Sequence, residues 1–265
     1  MTGKVYLIGA GPGDPELLTL KALRLLSQAE VVLHDDLVST AILDLIPAWT
    51  QVRNVGKRCG RPRISQAEIQ TLMITNAREG RLVIRLKSGD PLLFGRAGEE
   101  MEALAKAGIA FEVVPGITSA MGAAAAANLP LTDRRYASKL VFLTNHAAGN
   151  VEINADDIVS KDATHLVYMP GSNYEELAAK FLAGGLALDT PCLIVTNATR
   201  PEQKILRTTL CELGAQSRLP APALLIVGEV VGRQLEPASA EKFSSAEQLA
   251  LRTRDEYLTL LASIL

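Results

Sequence analysis

Apolar and polar positions change period along this chain in a recurring way. Val5-Tyr6-Leu7-Ile8 is a short apolar run, and it predicts a strand. Residues 16–28 switch to helical spacing, with Leu17, Leu20, Leu23 and Leu25 among the apolar positions. A second strand is expected at 30–33, with a helix from about 40 to 46 after it. A third strand lies near 51–55. Ser65 and Glu68 have capping-box spacing and open a helix that reaches Arg78. Leu82-Val83-Ile84-Arg85-Leu86 alternates and is rich in β-branched residues, which predicts a fourth strand, and a helix follows from near Ala97 toward Gly108. The fifth strand is 111–114, before an alanine-rich helix to about Ala127.

Strand, loop and helix therefore recur five times before residue 128. That order predicts an α/β fold whose first sheet is mainly parallel, with helices on both faces. Ligands on such sheets bind beyond the carboxyl ends of the strands. Each loop at that rim is unusual: 9–14 and 56–60 are glycine-rich, 34–36 is His-Asp-Asp, 88–90 is Ser-Gly-Asp, and 115–119 is Pro-Gly-Ile-Thr-Ser. The rim is the candidate site. Beyond Asn128 the character changes, and 129–135 reads as a linking segment. Strands are expected at 140–144, 165–169, 192–196, 204–209 and 223–227, with a helix at 174–183. Short turns between several of them predict a mixed sheet. A helical tail is expected from about 245 to 265. The expected organisation is an N-terminal α/β domain over 1–115, a C-terminal mixed α/β domain over 116–240, and the tail over 241–265.

Composition narrows the chemistry. With 265 residues, 48% of them hydrophobic and 21% charged, the chain resembles an ordinary globular protein that buries a core. A net charge of −2 gives no general basic excess, so no nucleic-acid partner is expected. The 3 cysteines, Cys59, Cys192 and Cys211, form no CxxC pair, and His34, His146 and His165 are far apart, so no metal is expected. No apolar run is long enough to span a bilayer, and the N-terminus lacks a signal-peptide pattern. A cytoplasmic protein is the expectation.

Gly9-Ala10-Gly11-Pro12-Gly13-Asp14 after a strand suggests a dinucleotide loop. The third small residue that such a loop needs is Asp14 here, and Pro12 removes an amide that could face a pyrophosphate. Asp35 stands about where a ribose-binding acid would, so a nicotinamide-dependent oxidoreductase stays open as a reading.

VYLIGAGPGDPELLTLKAL, DLVS, VGKRCG, RLKSGDPLLFGRAGEE, VVPGITSA, LPLTDR and APALLIVGEVV together resemble the uroporphyrinogen-III C-methyltransferases within the tetrapyrrole methylase family. These pieces span most of residues 4–231. The resemblance implies a two-domain class III methyltransferase with its active site in the cleft between the domains, assembled as a homodimer. It implies S-adenosylmethionine as cofactor, S-adenosylhomocysteine as product, and uroporphyrinogen III as substrate. Methylation at carbons 2 and 7 would give precorrin-2 through precorrin-1, feeding sirohaem, cobalamin or haem d1 synthesis.

Carried over residue by residue, the resemblance implies cofactor contacts at Pro12, Ser88, Gly89, Asp90, Leu93, Thr118, Ser119, Met169 and Ala198. It implies Asp35 as proton acceptor, Lys57 as proton donor, and Arg96 in the catalytic set. Arg58, Glu99 and Arg134 are expected on the substrate side. The chain departs from the pattern at His34, where an aromatic is usual, and at Asp36, where arginine is usual. Ser88, Ala97 and Ala198 replace glycines, and Asp133 replaces a histidine. Ser88 requires a negative φ to be unstrained. The alternatives are a later precorrin methyltransferase of the same fold, a related ribosomal-RNA methyltransferase, the oxidoreductase, and a ligand sensor without turnover.

Overall fold

The computed structural model describes residues 3–56, 64–145, 159–217 and 219–233. They form two compact units, divided between Thr118 and Ser119. In the first, β1 (Val5–Gly9), β2 (Val31–His34), β3 (Gln51–Asn54), β4 (Val83–Lys87) and β5 (Phe111–Val114) make one sheet in the order β3-β2-β4-β1-β5. All its pairings are parallel. Parallel strands need crossovers, and α1 (Leu20–Leu26), α2 (Thr40–Leu43), α3 (Gln66–Arg78) and α4 (Ala97–Lys106) lie within them.

Alternation along the strands feeds two separate cores. Ile8, Val32, Ile84 and Leu86 pack with Ala22, Leu25, Leu26 and Ile42 from α1 and α2. Val5, Leu7, Leu33 and Val83 pack with Ile69, Met73 and Leu104 from α3 and α4. Covering both faces in this way is what an all-parallel sheet requires. The α3 start is a full capping box: Glu68 N–H donates to Ser65 Oγ at 3.1 Å, and Ser65 N–H donates to Glu68 Oε2 at 2.6 Å.

The helix expected over 16–28 is broken in two. Glu16 N–H donates to Asp14 Oδ1 at 2.9 Å, which closes a 3-10 turn at Pro15–Leu17. Thr19 is extended (φ −71°, ψ 146°), and its Oγ1 accepts Ala22 N–H at 3.1 Å to open α1. Two short polar side chains each cap their own turn, so the helical apolar spacing is not one continuous helix.

The second unit carries β6 (Lys139–Thr144), β7 (Ala163–Tyr168), β8 (Pro191–Thr196), β9 (Lys204–Thr209) and β10 (Ala223–Val227), in the order β6-β7-β10-β8-β9. Only β6–β7 is parallel, so the sheet is mixed as expected. α5 (Ser119–Ala126) covers the face bearing Leu166, Leu193, Val195, Leu224 and Ile226. α6 (Tyr174–Ala183) and α7 (Leu210–Leu213) cover the other face. β7 and β8 are each antiparallel to β10 between them, so they run the same way and end at one edge. Met169 follows β7 there with φ 49°, outside the strand expected to include it. Among the described residues no helix is long and apolar enough to cross a membrane. The expected tail lies outside the described residues.

Candidate active site

At the rim of the first unit, Gly9, Gly89 and Gly116 follow or end β1, β4 and β5, and their backbones pack directly against one another. A Cβ on Gly9 would stand 2.6 Å from Gly116 Cα, and one on Gly116 would stand 2.4 Å from Gly89 O. Gly11 N–H donates to Gly89 O at 3.1 Å, and Gly89 N–H returns a bond to Gly11 O at 2.8 Å. Gly11 and Gly89 have φ of 71° and 68°, a region glycine enters without penalty. Ser88 is not among the residues with positive φ, so serine is unstrained there.

Asp90 ties two of these loops together. Its Oδ1 accepts Leu92 N–H at 2.8 Å and its Oδ2 accepts Gly116 N–H at 3.0 Å. The carboxylate therefore shapes the rim through backbone amides. Just beyond it Leu92 and Phe94 are 64% and 38% exposed, an apolar shelf beside bare backbone. Pro12 is buried and Leu93 half-buried, as are Thr118 and Ser119, the last residue of the first unit and the first of the second along the chain.

Beneath the rim, on the α3/α4 face, lies a buried cluster of charge. Arg85 and Lys87 share the face of Val83 on β4 and are 3% and 2% exposed. Glu100, the fourth residue of α4, is 0% exposed. Its Oε1 accepts Arg85 Nε at 2.9 Å and Gln66 Nε2 at 3.0 Å, and its Oε2 accepts Lys87 Nζ at 3.0 Å. Arg85 also donates to Leu33 O at 3.2 Å and Leu86 O at 3.3 Å. Its remaining arm donates to Asp35 Oδ1. Asp35 stands one residue past β2, with its N–H on Leu86 O at 3.0 Å and its side chain 27% exposed. Burial pulls the Arg85 guanidinium down, but Asp35 and Glu100 outweigh it, and the net shift is upward. Burial, and then the neighbouring Arg85, holds the Lys87 ammonium below its ordinary value.

The sequence singled out Asp35 but not Arg85, Lys87 or Glu100. The available signal was two charges at i and i+2 inside an apolar strand, on one face of the pleat. Asp36, the charge-reversed neighbour, accepts Asn54 Nδ2 at 3.2 Å. Gly56 presses on it so closely that a Cβ would lie 2.1 Å from Asp36 N. Arg96 opens α4 at φ 58°, and its Nε and Nη2 each bond the Glu99 carboxylate at 2.7 Å. Glu99 pushes Arg96 upward; both side chains are about half exposed, at 48% and 50%. Lys57 and Arg58 lie outside the described residues.

In the second unit Met169 is 47% exposed, whereas Ala198 is 9% exposed and belongs to the core. Asn197 and Thr199 flank Ala198 at φ 48° and 65°. Arg134 is exposed and forms no ion pair among the described residues. Its neighbour Arg135 bonds Asp133 through Nε at 3.0 Å and Nη2 at 2.6 Å, which lowers Asp133 to about 2. Leu131 O accepts Thr164 Oγ1 at 2.7 Å and Ser138 N–H donates to Asp162 O at 2.9 Å. These bonds fix the Arg134 turn at the start of β7, the end opposite Met169. Among the described residues no group of three or more His, Cys, Asp or Glu could hold a metal ion. Burial pushes the Cys192 thiol up to about 12, which makes it a core residue and no nucleophile.

The arrangement offers a close-packed backbone rim, an apolar shelf, and one partly open carboxylate over a neutralised charge cluster. Such a rim suits an uncharged or cationic ligand group held by backbone contacts. Comparison with known proteins gives a consistent picture. The model of the family described as Tetrapyrrole (Corrin/Porphyrin) Methylases matches residues 4–214. A siroheme synthase of Gluconobacter oxydans is 45% identical over 87% of this chain and 50% of its own length. One of Nitrosospira multiformis is 47% identical over 86% of this chain and 49% of its own. The chain thus spans about half the length of the curated relatives it matches. A uroporphyrin-III C-methyl transferase from Thermus thermophilus, solved with S-adenyl homocysteine, superposes with TM-score 0.78 at 38% identity, covering 89% of this chain and 97% of that one.

Proposed function

The chain belongs to the tetrapyrrole methylase family, and from that premise we propose that it methylates uroporphyrinogen III at carbons 2 and 7 with S-adenosylmethionine. The product would be precorrin-2, by way of precorrin-1. The observation that carries this reading is the likeness to the Thermus thermophilus enzyme over 97% of that enzyme's length.

The residues present fit the cofactor: the rim at Gly11, Gly89 and Gly116 is bare backbone, and Leu92 and Phe94 give exposed apolar area for an adenine ring. S-adenosylmethionine supplies a methyl on a positively charged sulfur, which is already a strong electrophile. The protein's work is then alignment, and proximity can account for most of the acceleration. Ser88, Gly89 and Asp90 serve as the floor for the nucleoside, with Pro12, Leu93, Thr118 and Ser119 around it, and Met169 and Ala198 as further cofactor contacts. The substrate is a polycarboxylate, so guanidinium forks suit it. Arg96 gives two N–H donors to Glu99, leaving three of its five for a substrate carboxylate. Arg58, Glu99 and Arg134 complete the proposed substrate side.

Asp35 keeps Oδ1 on Arg85 and turns Oδ2 to the acceptor role. It takes up the proton that the methylated ring must lose, and Lys57 serves as the donor. The protein acts as a cytoplasmic homodimer, which light scattering would test. For the reaction itself, the protein is incubated anaerobically with S-adenosylmethionine and uroporphyrinogen III, and methyl additions are counted by mass. Two additions per tetrapyrrole are expected; none, with hydride transfer from a nicotinamide instead, would overturn the reading.

A further inference from the structure

We infer that Glu100 is a positioning residue for proton transfer at Asp35, acting through Arg85, and that the neutrality of the resting cluster, in which Glu100 balances Lys87, is the feature the reaction needs. The inference rests on the methyltransferase reading above and deepens it. Glu100 is fully buried, so its charge is retained against a large desolvation cost. An apolar residue would fill the same space under α4 at lower cost. What the carboxylate adds is orientation. Its Oε1 fixes the Nε edge of Arg85 at 2.9 Å, and backbone carbonyls of Leu33 and Leu86 fix Nη1. Only the Nη2 arm is left to reach out of the core, and that arm holds Asp35 Oδ1. The Asp35 carboxylate is thereby held through Oδ1, which leaves Oδ2 for the acceptor role proposed above.

Among the described residues, the charges that face Asp35 come from β4 (Arg85 and Lys87) and α4 (Glu100), while α3 contributes the neutral Gln66. With Asp35 ionised, the cluster holds two cations and two carboxylates and sums to zero. When Asp35 takes one proton from the methylated ring, its charge goes from −1 to 0 and the cluster becomes +1. Its partial exposure, 27%, gives that proton a route to solvent and restores neutrality for the second methylation. Lys87 completes the balance from beneath. Gly95 passes over its stem, where a Cβ would lie 3.1 Å from Lys87 Cε.

The test compares wild type, Glu100→Gln, and Glu100→Gln combined with Lys87→Met, in the full chain. The single variant keeps the shape and an acceptor for Arg85 but leaves the resting cluster at +1; the double variant returns it to zero. Three quantities are read: kcat for methyl transfer, KM for uroporphyrinogen III, and S-adenosylhomocysteine affinity by calorimetry. Glu100→Gln is expected to lower kcat by roughly 10- to 100-fold, the range a misplaced catalytic group costs. KM and cofactor affinity should stay within about twofold, since neither ligand touches Glu100. The double variant should recover at least about a third of wild-type kcat, and it is read alone if the single variant does not fold. A Glu100→Gln enzyme at full kcat, or a folded double variant below about a tenth of wild type, would overturn the inference while leaving the methyltransferase reading standing. A wild-type protein with no methyl transfer would overturn both.

Discussion

At the ends of β1 and β4 the chain turns on glycines, with Gly11, Gly13 and Gly89 at positive φ, whereas at the ends of β7 and β8 the non-glycine residues Met169, Asn197 and Thr199 take positive φ, with Gly171 following Met169. The first unit makes one exception, at Phe94 and Arg96 around Gly95. Beneath its rim lie four charged side chains, Asp35, Arg85, Lys87 and Glu100. Beneath the rim of the second unit lies apolar core, into which Ala198 is packed. The two rims therefore differ in construction: the first brings backbone close and orients a carboxylate, and the second is built on strained turns. A non-glycine residue in the left-handed region costs on the order of 1–2 kcal/mol, and such strain collects where function fixes the backbone.

The contrast can be broken most severely at Gly116. In Gly116→Ala the new Cβ would meet Gly89 O at 2.4 Å, a backbone atom with nowhere to move. A loss of about 3 kcal/mol is expected from the overpacking, read from the urea midpoint. Cofactor affinity should fall with it, because all three loop ends are forced apart.

The opposite change sharpens the contrast in the second unit. Thr199→Gly relieves a β-branched residue at φ 65°. It should raise stability, by up to about 1 kcal/mol after the entropy glycine loses on folding, and should shift the thermal midpoint upward. A destabilised variant would show that Thr199 is not strained and that the comparison fails there.

The smallest effect concerns charge away from either rim. Arg135, by its side-chain and then its backbone hydrogen bond, lowers Asp133 from 3.8 to about 2. A depressed carboxylate contributes stability above its unfolded value, and that contribution is lost as pH falls through about 2. Carboxyl NMR should find a midpoint near 2 for Asp133, moving back toward 3.8 in Arg135→Gln.

Much of the first unit was legible because its signals are local. β-branched runs, glycine loops and a capping box are read within a few residues, and the five parallel strands follow from them. The requirement for negative φ at Ser88 was also a local argument, and the structure meets it. The charge cluster was not legible. Arg85 and Glu100 are 15 residues apart and meet only because β4 and α4 pack face to face. Nothing in the spacing of one strand says which helix residue will stand over it. The helix over 16–28 failed because Asp14 and Thr19 compete for the same backbone amides that a continuous helix would use. The placement of Arg134 at the start of β7, away from Met169, depends on Leu131 and Ser138 bonding to Thr164 and Asp162, contacts set by tertiary packing.

The central claim is that the chemistry is handled at the charged face of the first unit, by Asp35. Asp35→Asn keeps an oxygen for Arg85 and removes the acceptor. Formation of the deprotonated, methylated product in a single turnover should slow by about 100-fold or more, the contribution of a positioned general base, while S-adenosylhomocysteine binds within about twofold of wild type. Formation of the deprotonated, methylated product at the wild-type rate in Asp35→Asn would contradict the account.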